Sequence, residues 1–422
     1  MIKKNKKKLF YILLLLSAGL LIFGFVNFSK IEKKAVNKYP NLRFVKYLFK
    51  TNPLVNKISN DYNVKFLPLT QFEKINFIKK PLNFDKSYYL KEASKNSSTA
   101  YSDWGTFFIE IYQNDLLTID YLGNIYKIEN LLNYIKEPKK KQQGNKIFTN
   151  LDASRVTDTF VHNSKIYVSY ITKKKDCNLI NISLAKIDLN FLNFETFFKS
   201  DECIKYGSPG RMQFYKHKGQ EGILFSTIQG GKDRPSIKVQ DENSVYGKIL
   251  FINLNTKNYQ VFSKGHRATQ GLYAEDNLIL STEHGPYGGD EINKITFKKN
   301  YGWPIASYGE KYNFNYESEP LYKKDHKKFN FEEPVFSFTT AIGISELIRL
   351  PNSFSNFFQE YFIVTSLMGR SLYFIKFDDI FTKVLTYEKV FLGERIRDIK
   401  YFKNFILLAL EENGELGILS RN

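Results

Sequence analysis

Short apolar runs that recur from Trp104 to the end of the chain constrain the fold more than any other feature. Most are five to eight residues long, rich in Ile, Val, Tyr and Phe, and bounded by Gly, Asn, Asp or Lys, as is typical of β-strands separated by turns. Clear examples are FFIEIY (107–112), KIYVSYI (165–171), GKILFINL (247–254), YFIVTSL (361–367) and FILLAL (405–410). No sustained helical period of 3.6 residues follows residue 30. The sequence therefore predicts an all-β body.

The size of this body narrows the architecture. Its strands recur over roughly 320 residues, and no linker rich in Pro, Gly or Ser divides the range 104–419. A β-propeller suits such a chain because it closes radially and leaves only short sheet edges. At roughly forty to fifty residues for each four-stranded blade, we expect six or seven blades. Two stacked β-sandwich domains are the alternative architecture.

The N-terminus carries the pattern of a membrane anchor. Five lysines lie within residues 3–8, and the eighteen residues from Leu9 to Val26 carry no charge. That length is close to the ~20 apolar residues that a transmembrane helix needs, and the basic flank favours an N-terminus inside the cell. We therefore expect one transmembrane helix in the inner or plasma membrane, with the rest of the chain in the periplasm or extracellular space. The alternative is secretion after cleavage of a signal peptide, although no A-x-A-like site follows the apolar run.

These patterns divide the chain into three segments. Residues 1–29 hold the lysine stretch and the signal anchor, residues 30–100 a stalk or accessory segment, and residues 101–422 the β-body. The chain has 62 Lys and Arg against 43 Asp and Glu, a formal net charge of +19. In an exported domain this surplus favours anionic lipid or cell-wall polymer over nucleic acid as a partner, and a solvated surface with a biased composition is the alternative.

The chain contains only two cysteines. Two are too few for a disulfide scaffold or for a zinc site built from cysteine alone. An oxidising compartment permits one bridge, between Cys177 and Cys203. Two free thiols are the alternative.

The segment 265–309 concentrates the chemistry of the sequence. It contains three carboxylates within nine positions, namely Glu283, Asp290 and Glu291. A loop is forced between them by Gly285, Pro286, Gly288 and Gly289. Carboxylates together with carbonyls that are free of strand pairing are the ligands that Ca²⁺ prefers. The alternative is a tight turn whose acids pair with the many lysines.

The same segment resembles a known family. EHGPYGGDEIN, followed by KNYGWPIASYG, closely resembles the glucose/sorbosone dehydrogenase family, which includes the soluble aldose dehydrogenases that use pyrroloquinoline quinone (PQQ). Other stretches match in the family's order: GRMQF (210–214), VQDENSVYGKILFINL (239–254), GHRATQGL (265–272) and GERIRDIKYF (393–402). The resemblance covers roughly residues 100–420. It implies a six-bladed β-propeller, and the transmembrane helix predicted from Leu9–Val26 precedes the matched range.

The resemblance also implies a site. The residues that match the calcium loop are Glu283, Gly285 and Pro286, and those that match arginines facing the cofactor are Arg267, Arg395 and Arg397. PQQ carries three carboxylates, and a guanidinium binds a carboxylate through two parallel hydrogen bonds, so three arginines suit this ligand. Surface or ion-paired arginines are the alternative.

The general-base histidine of the family pattern is missing. The position of the family's general-base histidine, four residues before the Arg of its G-R strand, is Gly207 here, or Tyr206 if one residue is inserted. Neither side chain accepts a proton from a sugar hydroxyl near neutral pH. His266 and His284 flank the expected cofactor loops and are weak candidates to replace this base. The alternative is that they are simply parts of those loops.

Two functions follow from these observations. The first is a membrane-anchored, extracytoplasmic dehydrogenase that depends on PQQ and Ca²⁺, oxidises the C1 hydroxyl of an aldose to a lactone, and passes electrons to an acceptor. The second is a non-catalytic propeller that binds a glycan, a protein or an anionic ligand at the same face.

Overall fold

The computed structural model describes residues 75–82, 106–137, 144–174, 177–188, 190–204, 210–229, 237–311, 322–355, 357–412 and 414–421. The expected anchor (9–26) and most of the segment 30–100 lie outside these residues. Within the described stretches, no helix is both long and apolar enough to cross a membrane.

Strands account for almost all of the regular structure that is described. They are β1 (Ile75–Pro81), β2 (Phe107–Tyr112), β3 (Asp115–Asp120), β4 (Ile125–Ile128), β5 (Asn145–Thr149), β6 (Arg155–His162), β7 (Lys165–Lys174), β8 (Cys177–Lys186), β9 (Phe191–Leu192), β10 (Glu195–Lys199), β11 (Met212–His217), β12 (Gln220–Ser226), β13 (Lys248–Asn253), β14 (Tyr259–Lys264), β15 (Thr269–Glu275), β16 (Leu278–Glu283), β17 (Asp290–Lys294), β18 (Phe336–Phe338), β19 (Ile344–Arg349), β20 (Tyr361–Ser366), β21 (Ser371–Phe377), β22 (Val384–Phe391), β23 (Ile396–Phe402), β24 (Phe405–Leu410) and β25 (Glu415–Arg421). One short helix, α1 (Leu131–Lys136), and two 3₁₀ turns (Ile237–Val239 and Lys327–Phe329) complete the described elements.

The described strands form six sheets arranged as a closed ring. Five sheets have four antiparallel strands, and the sixth, β2-β3-β4-β5, gains the two-residue strand β9 in parallel. The inner strands β2, β6, β11, β15, β19 and β23 contact one another in that order, and β23 returns to β2. This arrangement is a six-bladed β-propeller. The expected all-β fold is confirmed with six blades, and the pair of stacked sandwiches is excluded.

Strand β1 closes the ring. It pairs antiparallel with β25 over seven positions, from Ile75 opposite Arg421 to Pro81 opposite Glu415, and so becomes the outer strand of the last blade. These residues lie in the segment 30–100, which the sequence predicts to be a stalk or accessory segment. INFIKKP has no clear strand pattern because it carries two lysines and ends in a proline, a residue that a sheet tolerates at its edge.

Apolar side chains fill the spaces between neighbouring blades. Because each sheet is packed on both faces, its middle strands are apolar at successive positions rather than at alternate ones. In β24, for example, the five residues from Ile406 to Leu410 are all fully buried. This packing explains why the strand runs of the sequence look continuous.

Bulges in the inner strands direct three side chains into one cavity. Among the described inner strands, the pairing register shifts near the first residues of β6, β15, β19 and β23. A bulge leaves a residue unpaired and redirects its side chain. The side chains of Thr157, Gln270 and Arg397, each at such a shift, line one cavity at the same end of the central channel.

The two cysteines form a disulfide. Cys177, the first residue of β8, is bonded to Cys203, which follows β10 by four residues. The alternative of two free thiols is therefore excluded.

Candidate functional site

A small cavity opens where the inner strands begin. We call it the mouth cavity, and it is lined chiefly by Thr106, Arg155, Thr157, Arg211, Gln270 and Arg397. Three of these side chains carry guanidinium groups, and none carries a carboxylate. An electropositive lining of this kind favours an anionic ligand.

Two of the arginines expected to face a cofactor are held side by side. Glu411 accepts hydrogen bonds from Nε of Arg395 (2.8 Å) on one carboxylate oxygen and from Nε of Arg397 (2.8 Å) on the other. Arg397 also donates to Oε1 of Gln270 (3.3 Å). Burial would raise the pKa of Glu411, but the two guanidinium groups hold it below its usual value. One carboxylate therefore fixes two cations and leaves the trio with one net positive charge.

Arg211 is held by acids from two other blades. Its NH1 group lies 2.9 Å from Asp158 of β6 and 3.0 Å from Glu346 of β19, and its NH2 group donates to the carbonyl oxygen of Arg397 (3.2 Å). Burial raises the pKa of Asp158 to about 6 and that of Glu346 to about 7, against the influence of Arg211. These contacts lock the inner strands around the mouth cavity.

A second small cavity lies beside the Gly-Pro loop. We call it the loop cavity, and its lining includes Arg267, Glu283, His284, Gly285 and Glu291. The third expected arginine, Arg267, donates to the carbonyl oxygen of His284 (2.9 Å), and its guanidinium lies over the ring of Trp303 (5.3 Å). Arg267 lies three residues before Gln270 of the mouth cavity, so the two cavities are neighbours in the propeller. Both Arg267 and Arg397 act electrostatically on His284.

Glu283 is saturated by donors from the protein. It accepts from Nδ1 of His266 (2.6 Å), from the backbone N–H of Arg267 (3.2 Å) and from the side chains of Ser281 (3.2 Å) and Asn293 (3.3 Å). Burial raises its pKa, but His266 and the other donors hold it below the usual value. Its carboxylate oxygens are therefore occupied by donors of the protein, and the side chain forms part of the wall of the loop cavity.

The two histidines of this region differ in their access to the cavities. His266 is fully buried, and its Nε2 lies 2.8 Å from Oγ of Ser263, so its ring lines neither cavity. His284 lines the loop cavity, and within the described part of the chain its Nε2 has no hydrogen-bond partner. The positions of the missing base, Tyr206 and Gly207, lie outside the described residues.

The Gly-Pro loop is shaped by its backbone. The N–H of Gly285 donates to Oδ1 of Asp290 (3.1 Å), while Oδ2 of Asp290 accepts from the N–H groups of Ile342 (2.9 Å) and Ile344 (3.1 Å). Asp290 thus serves the backbone rather than a cation. A Cβ on Gly285 would overlap the carbonyl oxygens of the two glycines that follow in the loop, so only glycine fits here.

A cation in this loop would depend on main-chain oxygens. Among the described residues, no group of three or more His, Cys, Asp or Glu side chains is placed to hold a metal ion. No hydrogen bond within the described stretches ends on the carbonyl oxygens of Gly285 or Pro286. These two oxygens, beside the acids Glu283 and Glu291, therefore suit a hard cation such as Ca²⁺.

Three residues of this arrangement could not be found from the sequence, namely Glu411, Gln270 and Arg155. They have no local signal of their own, because their roles depend on neighbours far away in the sequence. Only the pair Arg395 and Arg397 points to Glu411, because two guanidinium groups so close together favour a carboxylate beside them.

Comparisons with known proteins agree with this description. A family model described as Glucose / Sorbosone dehydrogenase matches residues 150–420. The chain is similar to the aldose sugar dehydrogenase YliI of Escherichia coli, with 26% identity over 246 residues that cover 53% of this chain and 63% of that protein. It is similar to the quinoprotein glucose dehydrogenase B of Acinetobacter calcoaceticus, with 33% identity over 90 residues that cover 18% of this chain and 19% of that protein. The aligned parts thus span less than two thirds of either relative.

The fold also recurs among solved structures. The PQQ-bound form of an aldose sugar dehydrogenase from Streptomyces coelicolor matches with a TM-score of 0.56 and 16% identity, over 83% of this chain and 99% of that chain. At this level of identity the likeness shows a shared propeller fold.

Proposed function

The chain belongs to the glucose/sorbosone dehydrogenase family, and from this premise we propose that it binds PQQ and Ca²⁺ at the mouth of the propeller and oxidises an aldose at C1. The observation that carries the proposal is that Arg397 and Arg267 line two neighbouring cavities, while Glu411 holds Arg395 beside Arg397. The reaction removes two electrons and two protons from the C1 carbon and its hydroxyl group, and the product is a lactone.

The residues of the site fit these groups. Arg395 and Arg397 share one acid and keep one net positive charge for the carboxylates of the cofactor. The carbonyl oxygens of Gly285 and Pro286 are suited to hold Ca²⁺. When bound, Ca²⁺ polarises a quinone carbonyl, and the quinone supplies the two-electron acceptor that the side chains lack.

The protein contributes orientation and charge. Glu411 fixes both guanidinium planes before a ligand arrives, so little ordering remains to be done on binding. The backbone carbonyl of His284 and the ring of Trp303 hold Arg267 in the same way. A site organised in advance by such contacts stabilises developing charge without reorganisation.

A second candidate is a propeller that binds the same ligand without turnover. The observation that favours it is the residue at the family's base position, which is Gly207 or Tyr206. Neither residue supplies the general base that C1 oxidation needs.

We further propose that the protein is anchored in the inner or plasma membrane and that the propeller lies outside the cytoplasm. The uncharged segment Leu9–Val26 after five lysines supports the anchor. The disulfide between Cys177 and Cys203 supports an oxidising compartment.

The test is a titration of the purified full-length protein in detergent with PQQ, with and without Ca²⁺. We expect a saturable change in the cofactor spectrum that requires Ca²⁺, and reduction of a dye acceptor when an aldose is added. Arg397→Gln should weaken cofactor binding at least tenfold, whereas Arg349→Gln, which makes the same charge change on an exposed ion pair, should not. Absence of binding would refute the cofactor proposal, and binding without dye reduction by any aldose would establish the non-catalytic alternative.

A further inference from the structure

We propose that Gln240 is a positioning residue of the loop cavity, where it holds Trp303 in place beneath the guanidinium of Arg267. Gln240 lies in the stretch VQDENSVYGKILFINL (239–254), which matches the family pattern but has no part in the proposed function so far. The inference rests on the proposed function, because that function assigns Arg267 to the cofactor.

Two glutamine side chains fix Trp303. This residue lines the loop cavity and is only 5% exposed. Its indole Nε1 donates to Oε1 of Gln229 (2.6 Å), and its backbone carbonyl oxygen accepts from Nε2 of Gln240 (2.5 Å). One bond thus holds the ring and the other holds the main chain, so the position of the indole depends on both glutamines.

The guanidinium of Arg267 depends on this ring. It lies over the indole of Trp303, 5.3 Å from the ring centroid, and a cation is attracted to the face of an aromatic ring. The backbone carbonyl oxygen of Arg267 accepts from the N–H of Gln229 (3.0 Å). A displaced indole would therefore withdraw its support from the guanidinium while the main chain of Arg267 stayed in place.

Gln240 is itself held by a reciprocal pair of amide bonds. Nδ2 of Asn300 donates to Oε1 of Gln240 (2.7 Å), and Nε2 of Gln240 donates back to Oδ1 of Asn300 (3.3 Å). The same Oδ1 also accepts from the backbone N–H of Gly302 (3.1 Å). A primary amide supplies both the donor and the acceptor that these contacts need. The pair therefore joins the stretch 239–254 to the motif KNYGWPIASYG (299–309) through the side-chain amide of Gln240.

A buried lysine anchors the turn that carries Gln240. Lys248 is fully buried, and its Nζ donates to the carbonyl oxygens of Lys238 (3.2 Å), Val239 (2.9 Å) and Tyr246 (2.7 Å). These three bonds use all three donors of the ammonium group. Because Val239 directly precedes Gln240, the backbone at Gln240 is fixed before a ligand arrives. A support organised in advance leaves little ordering to be done on binding.

The first measurement is the PQQ affinity of the full-length protein in detergent with Ca²⁺ present. Gln240→Met should weaken binding by about 3- to 10-fold, the effect of losing one hydrogen bond. In an Arg267→Gln background the same change should have no further effect, because Gln240 acts through Arg267. Gln260→Met, at an exposed position of β14, is the matched control and should bind as the wild type does. Unchanged affinity in Gln240→Met, or a loss that adds fully to that of Arg267→Gln, would overturn the inference.

The fluorescence of Trp303 tests the same contact without a ligand. The chain has two tryptophans, so Trp104→Phe leaves Trp303 as the single emitter. In this background Gln240→Met should raise the acrylamide quenching constant by about twofold or more, because a less tightly held ring meets the quencher more often. Gln260→Met should not. Gln240→Glu keeps the acceptor for Asn300 and loses only the donor to Trp303, so it should give the same rise and replaces the methionine variant if that variant does not fold.

The two measurements separate this inference from the proposed function. If the wild-type protein binds no PQQ, the dehydrogenase proposal fails, and the quenching of Trp303 alone decides whether Gln240 holds this ring. Unchanged quenching in both Gln240 variants would overturn the inference even if the protein binds PQQ. Increased quenching with unchanged PQQ affinity would also overturn it, because Gln240 would then position Trp303 without serving the cofactor.

Discussion

Neutralising Glu411 gives the sharpest test of how the site is built. The substitution Glu411→Gln keeps the shape of the side chain but removes the one charge that balances Arg395 and Arg397. A glutamine accepts through one oxygen only, so its amide NH₂ group would face the second guanidinium. Two adjacent cations, with side chains 24% and 13% exposed, would then lack a counter-charge.

The expected cost follows from burial. Breaking a buried ion pair by removing one partner costs about 3–5 kcal/mol, because the remaining charge stays desolvated. With about 2.1 cal/mol/K of unfolding entropy per residue over a body of roughly 350 residues, this corresponds to a fall in Tm of about 4–7 °C. Urea denaturation and thermal melting of the unloaded protein measure the two quantities independently.

Glu412 provides the matched control because it is the next residue in the chain. Its side chain is 39% exposed and pairs with Arg370 at 2.6 Å, so Glu412→Gln should change the free energy of unfolding by at most about 1 kcal/mol. If Glu411→Gln is no less stable than Glu412→Gln, the buried carboxylate does not organise the guanidinium pair, and the electrostatic account of the site is wrong.

Two further predictions concern the calcium loop and the pH dependence of stability. Gly285→Ala should abolish the rise in Tm that Ca²⁺ causes, because the added Cβ would displace the loop backbone. In the control Gly219→Ala the Cβ would meet open space, and the rise should remain. An intact calcium response in Gly285→Ala would contradict the assignment of this loop. Burial raises the pKa of Glu388 to about 7 from an ordinary 4.5, so the folded state binds this proton more tightly and loses stability as pH rises from about 4.5 to 7. Urea denaturation at pH 5 and pH 8 measures this loss of stability, and Glu388→Gln should make it smaller. The exposed Glu412→Gln is the control. A loss as large as that of the wild-type protein would refute the role of Glu388.

The fold was largely predictable from the sequence because propeller strands are short, apolar and bounded by turn residues. Runs such as FILLAL (405–410) became strands where they were expected. The number of blades could be narrowed but not fixed by spacing alone, since blade lengths vary. Strand β1 was not predicted, because pairing with the chain's last strand is a property of ring closure and leaves no local pattern.

The site was predictable in its residues but not in its contacts. The Gly-Pro loop and the Arg395–Arg397 pair are contiguous motifs, and the structure places Gly285 of the loop and Arg397 of the pair in the walls of two neighbouring cavities. Arg211 lies in the matched stretch GRMQF (210–214), for which the sequence predicts no role, yet it joins acids of two other blades. Bulges bring Thr157 and Gln270 into the cavity, and a bulge depends on pairing between strands rather than on residue type.

One sheet both closes the ring and carries the Arg395–Arg397 pair. Arg397 lies in β23, the inner strand of the last blade, and Glu411 directly follows β24 of the same blade. The outer strand of that blade is β1, and Lys79 of β1 contacts Glu394, the neighbour of Arg395, at 2.7 Å. Loss of β1 from the sheet would loosen the strands that carry the guanidinium pair. Because the same four strands close the ring and carry the Arg395–Arg397 pair, an opened ring would lose the alignment of this pair as well as its last blade.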